Sequence, residues 1–202
     1  MTTDAIESCA VTVGKNPPAI SPIKLAHVVF RTSRYGELVA WYKTVLNASI
    51  AFANETLTFL SYDEEHHRVA VINEPRLEGR TKPIAGLHHI AFTFRSLADL
   101  MGTYVRLRDL GIRPVFVINH GPTTSLYYED PDGNNVELQI DNYDTIEDAT
   151  AFFYSDAFAE NPIGVEFDPE QMLSRFKAGE PEANLKRRPN VGPKGLADIK
   201  LR

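Results

Sequence analysis

An internal repeat constrains this chain more than any other feature. The stretch Leu-Ala-His-Val-Val-Phe at 25–30 returns as Leu-His-His-Ile-Ala-Phe at 87–92, which sets His27 over His89 at an offset of 62 residues. At the same offset, and without a gap, Leu38 lies over Leu100, Tyr42 over Tyr104 and Ile50 over Ile112. Registration across both a strand-like and a helix-like stretch marks a duplicated supersecondary unit, so the chain is read unit by unit.

Both copies show the same order of periodicities. Apolar residues first run continuously (25–30 and 90–94). They then recur at helical spacing as Leu38, Tyr42, Val45 and Leu46, and as Leu97, Leu100, Tyr104 and Leu107. Strand-like content follows at 49–53, 56–62 and 68–73 in the first copy, and at 113–118, 124–129 and 135–140 in the second. The unit is strand, helix, three strands, and the expected fold class is α+β. One such sheet with one helix leaves a sheet face uncovered, so the two units are expected to form one domain around a central cavity.

That domain spans 23–142: module one at 23–74, a Pro- and Gly-containing linker at 75–86, and module two at 87–142. Residues 1–22 read as an N-terminal extension, and 143–202 as a helical or irregular C-terminal extension ending in a basic surface arm. Within it, Asp168 is expected to cap a helix with Pro169 in its first turn and Gln171 at the capping-box position, stopped by Gly179. Asp130, Pro131, Asp132, Gly133 and Asn134 read as a tight turn between strands. Its glycine is the fourth residue of the run, where a calcium loop of the EF-hand type needs it sixth.

Composition narrows the function classes. No apolar stretch approaches the roughly 20 residues of a membrane span. The N-terminus has Asp4 and no basic region ahead of an apolar core, so a cytoplasmic location is expected. The single cysteine, Cys9, lies in a polar segment away from the histidines, which disfavours thiol chemistry. With 21 Lys+Arg against 27 Asp+Glu and one dense basic run at 186–188, the chain offers no concentrated basic face for nucleic acid.

The six histidines all fall between residues 27 and 120. His27 and His89 occupy equivalent positions in the two modules, so a pseudo-two-fold pairing would aim both into the cavity. Glu137 alternates with Val136 and Leu138, which sends it to the face opposite those apolar neighbours. Two imidazoles and one carboxylate form a facial triad of the kind that suits non-haem Fe(II). Aligning Asp63 with Asp130 puts Ala70 opposite Glu137, so the first module supplies no fourth ligand there. Taken singly, each of the three residues is more often structural or solvent-facing, and only their joint registration favours a metal. His66 and His88 read as neighbours directed to the other face.

Four patches carry a family resemblance: 27–30, 63–71, 87–92 and 119–137. Over about residues 23–142 the chain resembles the vicinal oxygen chelate superfamily, whose fold pairs βαβββ modules, and within it the small one-domain type I extradiol catechol dioxygenases. The resemblance implies His27, His89 and Glu137 as ligands of Fe(II), with Mn(II) as the other candidate. It implies His67 as the acid/base histidine, His120 as a further histidine beside the substrate, and Tyr127 as the hydrogen-bond partner of a substrate oxygen. Val29 and Phe59 would be apolar walls of the ring and O₂ pocket. His120 departs from the family pattern, with two residues fewer before the hairpin. The implied reaction opens a hydrophobic aryl- or alkyl-substituted catechol, of the 2,3-dihydroxybiphenyl kind, with O₂ to a muconic semialdehyde or ketone. Implied partners are catechol, O₂ and further copies of the chain in a homo-oligomer. The rival readings are a glyoxalase-like metal-dependent isomerase or transferase, and a drug-binding protein of the same fold without catalysis. Residues 161–164, Asn-Pro-Ile-Gly, are expected to fold back over the cavity mouth.

Overall fold

A computed structural model of the chain describes residues 20–79, 85–195 and 198. Cys9, most of the N-terminal extension, positions 80–84 of the linker and the last residues of the arm lie outside this range. Module one runs β1 (Val28–Thr32), α1 (Tyr35–Val45), β2 (Ser49–Ala53), β3 (Leu57–Ser61) and β4 (Val69–Asn73). Module two runs β5 (His89–Thr93), α2 (Leu97–Asp109), β6 (Phe116–Asn119), β7 (Thr123–Glu129) and β8 (Asn135–Asp141). The sheets repeat one topology, β1-β4-β3-β2 and β5-β8-β7-β6, and β9 (Val165–Glu166) adds a fifth strand to the second. In each, the first and last strands of the module pair in parallel and the other module strands pair antiparallel.

Local chemistry explains the boundaries. Ser96 accepts a hydrogen bond from Asp99 N and starts α2, whereas α1 begins without a side-chain cap. Beyond the two helices, Asn47 (φ 50°) and Gly111 (φ 80°) take the left-handed conformation that closes a helix C-terminus. Strand β6 begins at Phe116, later than the expected 113, because Pro114 cannot donate to a ladder. Strand β1 begins at Val28, later than the expected 25, so His27 precedes it by one residue.

One face of each sheet enters a common core. Leu60, Val69 and Val71 from the first, and Leu126, Tyr128, Val136 and Leu138 from the second, cluster with Leu38, Tyr42, Leu100 and Tyr104 of the helices. Polar contacts fix the modules to each other. Tyr42 Oη donates to Asp130 Oδ2 at 3.0 Å. Arg106 donates to the Thr44 and Val45 carbonyls at 2.6 and 3.1 Å, satisfying acceptors at the end of α1. Tyr62 meets Phe92 edge-on at 5.8 Å.

The C-terminal extension continues as α3 (Ile146–Phe152), α4 (Asp156–Glu160), β9, α5 (Pro169–Lys177) and α6 (Glu182–Leu185). Asp168 caps α5, accepting from Glu170 N. The expected surface arm is corrected in part: Leu185 joins the core, because α6 lies against α5, whose Met172 and Leu173 are buried there. No helix among the described residues is long and apolar enough to cross a membrane.

Candidate active site

Strand β8 alternates as its sequence requires. Val136 and Leu138 face the core, and Glu137 faces away from it, yet it is only 4% exposed. It lies in register with Ala91 on β5 and Tyr127 on β7. From the start of β5, His89 Nε2 approaches Glu137 Oε2 at 3.0 Å, while Nδ1 stands 2.7 Å from His88 Nδ1. The Tyr127 ring meets His89 edge-on at 5.3 Å, and its hydroxyl is 3.1 Å from His120 Nε2. Burial pushes the Glu137 carboxyl up, but hydrogen bonds from His89 and Ser125 and the nearby His120 outweigh it and hold the group below its ordinary range. Burial, reinforced by the Glu137 carboxylate, pushes the Tyr127 phenol well above its ordinary value, so it stays protonated.

The C-terminal extension closes this group from one side. His120 Nδ1 lies 2.5 Å from the Ile163 carbonyl. A carbonyl can only accept, so Nδ1 donates to it, and Nε2 faces the Tyr127 hydroxyl. Asn161 Oδ1 holds the loop through Ile163 N and Gly164 N, and Arg188 donates to the carbonyls of His120 and Asn161. Gly164 is required at its position. Its φ is 118°, and a Cβ would stand 2.5 Å from the Asn119 carbonyl oxygen. Residues 161–164 thus pack on His120.

Module one carries a second group. His27 and His67 have ring centroids 4.4 Å apart, and Phe59 stacks on His67 at 4.4 Å and 24°. His66 Nδ1 reaches His67 Nδ1 at 2.5 Å. Arg68 sets the approach of His27 by donating to the Leu25 and Ala26 carbonyls while Asp63 holds its other side. Val29, Ala70 and Phe59 form one cross-strand row, and the neighbours of Ala70 on β4 face the core, so the row faces away from it. Ala70 offers no metal donor.

The structure therefore brings together His89, Glu137, Tyr127 and His120, and separately His27, His67 and Phe59. Among the described residues, no three His, Cys, Asp or Glu side chains converge as a metal-holding group. The central cavity expected from the repeat does not gather the triad within one chain, because the common core between the modules is filled by the helices and the reactive residues lie on the faces turned away from it. Cavities of about 760 Å³, between the end of α1 and α2, and 530 Å³, within the C-terminal extension, are not lined by any of the three candidate ligands. The donor chemistry of the His89–Glu137 pair nonetheless fits a divalent cation: a buried, ionised carboxylate and an imidazole nitrogen 3.0 Å apart. Sequence reasoning missed Ser125, Arg188 and the Ile163 carbonyl, whose roles are backbone and hydroxyl contacts that leave no motif.

Residues 24–138 match the Glyoxalase/Bleomycin resistance protein/Dioxygenase superfamily. Biphenyl-2,3-diol 1,2-dioxygenase 2 of Rhodococcus globerulus is 49% identical over 159 residues, covering 78% of this chain and 84% of that protein. Biphenyl-2,3-diol 1,2-dioxygenase 3 of the same organism is 46% identical over 164 residues, covering 80% and 86%. Among solved structures, a glyoxylase/bleomycin resistance protein/dioxygenase domain from Frankia sp. EAN1pec superposes with a TM-score of 0.51 at 16% identity, covering 62% of this chain and 96% of that one, a likeness of fold alone. With its repeated βαβββ units and a match over most of both modules, the chain belongs to the Glyoxalase/Bleomycin resistance protein/Dioxygenase superfamily.

Proposed function

We propose that the protein is a metal-dependent extradiol dioxygenase that opens a hydrophobic catechol of the 2,3-dihydroxybiphenyl kind, with Fe(II) held by His27, His89 and Glu137. The observation that carries this reading is the buried Glu137 carboxylate facing His89 Nε2 beside Tyr127 and His120. The names of the two R. globerulus relatives support the substrate class. Bound there, Fe(II) would act as a Lewis acid that acidifies the catechol hydroxyls and passes electrons between ring and O₂.

The chain's own groups supply the rest. Tyr127, held protonated, donates to a substrate oxygen, and His120 orients it through the contact with Nε2. His67 exchanges the substrate proton: its Nδ1 is engaged by His66, which leaves Nε2 for the transfer. Phe59 packs on the His67 ring and, with Val29, gives an apolar wall that matches an aryl ring better than a carboxylated one. Ala70, where a glyoxalase-like site would place a further ligand, favours the dioxygenase over the isomerase. We assign the protein to the cytoplasm.

The test is anaerobic loading with Fe(II), then 2,3-dihydroxybiphenyl in air. Yellow ring-opened product with one O₂ consumed per catechol is expected, and no O₂ uptake by metal-loaded protein would defeat the reading. Burial first, then His27 and His66, pulls the His67 imidazole below its ordinary value of 6.5. It is therefore neutral at pH 7, and the acid limb of kcat/KM should fall below pH 6.5 as it protonates. His67→Ala should keep its metal, lose at least about 100-fold in kcat and lose that limb.

A further inference from the structure

Strands aim His89, Tyr127 and Glu137, whereas His120 stands in the turn between β6 and β7. The direction of its ring therefore depends on what holds residues 119–121. The holder is the segment just beyond α6. Asn119 Nδ2 donates to the Lys186 carbonyl at 2.8 Å, and its Oδ1 accepts from Gly121 N at 2.9 Å, so this buried side chain ties the turn to that segment. Arg188 Nη1 donates to the His120 carbonyl at 3.1 Å and to the Asn161 carbonyl at 2.8 Å, and Nη2 donates to the Ala157 carbonyl at 2.6 Å. The guanidinium carbon lies 4.9 Å from the centre of the Phe152 ring, which packs where a Cβ on Gly121 would stand.

We infer that Arg188 is the positioning residue of His120. It locks the His120 main chain to the loop whose Ile163 carbonyl accepts from Nδ1, and so sets the angle at which Nε2 meets the Tyr127 hydroxyl. This inference rests on the dioxygenase reading above, in which Tyr127 donates to the substrate, and it gives the basic run at 186–188 a part in that site.

The contacts call for arginine. Three carbonyls shared between two nitrogens, with an aromatic ring against the flat face, match a planar fork, and a lysine ammonium is a single point of charge. The Ala157 and Asn161 carbonyls belong to α4 and its C-terminal cap, where a cation is favoured. Among the described residues no carboxylate forms an ion pair with Arg188, so the carbonyls and the ring are its partners. Burial pulls the guanidinium below its ordinary value, as expected of a group inserted between segments and not of one left in water.

The experiment makes Arg188→Met and Arg188→Lys in the full chain and combines Arg188→Met with His120→Ala. The first readout is kcat and KM for 2,3-dihydroxybiphenyl per bound Fe(II). The second, in metal-free ¹⁵N-labelled protein, is the His120 Nδ1–H resonance, assigned by its absence from His120→Ala. Arg188→Met should lower kcat about 10-fold and move KM far less, as a misplaced group does. Its Nδ1–H should exchange with water too fast to be seen, and Arg188→Lys should recover part of both. With His120 replaced by alanine, Arg188→Met should change kcat by less than about 2-fold, because the ring through which it acts is gone. An equal factor in both backgrounds overturns the assignment. So does an Nδ1–H as protected in Arg188→Met as in wild type, or one missing from wild type. If Arg188→Met does not fold, Arg188→Lys takes its place and is read by the same criteria. Wild type that takes up no O₂ defeats the dioxygenase reading, and the Nδ1–H resonance then decides the positioning by itself.

Discussion

The two modules share one topology and differ in how their reactive faces are treated. In module two the face is sealed: Glu137, Ser125 and Tyr127 are buried, and β9 covers the outer edge at β6. In module one the face is open, and every residue of the corresponding edge strand β2 is exposed. The repeated tyrosine shows the same divergence. Tyr42 gives its hydroxyl to Asp130 in the other module, whereas Tyr104 gives its hydroxyl to Glu170 of α5 at 2.7 Å. What distinguishes the halves is the C-terminal extension, whose hydrogen bonds reach Tyr104, Asn119 and His120 of module two. A duplicated unit has thus become one covered reactive face and one open one.

The sharpest way to break this comparison is to make module two resemble module one at the position aligned with Ala70. Glu137→Ala should abolish tight metal binding and lower kcat/KM by at least about 100-fold, measured by metal content and O₂ uptake. Unseating the seal comes next. Gly164→Val forces a β-branched residue into a left-handed conformation against the Asn119 carbonyl, at a cost of roughly 2–3 kcal/mol in urea unfolding. It should also lower kcat by releasing Ile163 from His120; an unchanged kcat would show that the loop does not orient that ring.

The paired tyrosines give a smaller, graded contrast. Tyr42→Phe removes a buried hydrogen bond to a carboxylate and should cost about 2 kcal/mol. Tyr104→Phe should cost less than about 1 kcal/mol, because Glu170 is half exposed and keeps Arg108 at 2.9 Å. Equal losses would mean that the cross-module bond has no special weight. Smallest is Ile50→Ser on the open edge, expected to move single-chain stability by no more than about 0.5 kcal/mol.

Much of the module plan was legible from residue order. The offset between His27 and His89, the helical spacing of Leu38 and Tyr42 and of Leu100 and Tyr104, and the turn from Asp130 to Asn134 each have a local physical cause that survives outside the fold. Alternation alone put Glu137 on the face opposite Val136 and Leu138, and β8 shows that pattern. The short β9, two residues long, carries no periodicity that could announce it. Arg188 acts through backbone carbonyls, and any residue type supplies those.

The sequence by itself determined the duplicated βαβββ units, the α+β class and the types of residue available for chemistry, because strand alternation, helical spacing and turn preference are short-range properties. Only the tertiary structure decided which face of each module meets the other. Both faces of a duplicated sheet carry apolar residues, and the repeat is symmetric under exchange of its halves, so residue order does not say whether the reactive faces meet within a chain. The packing of α1, α2 and both sheets into one core settles it by leaving His27 exposed on one module and Glu137 buried on a separate face of the other.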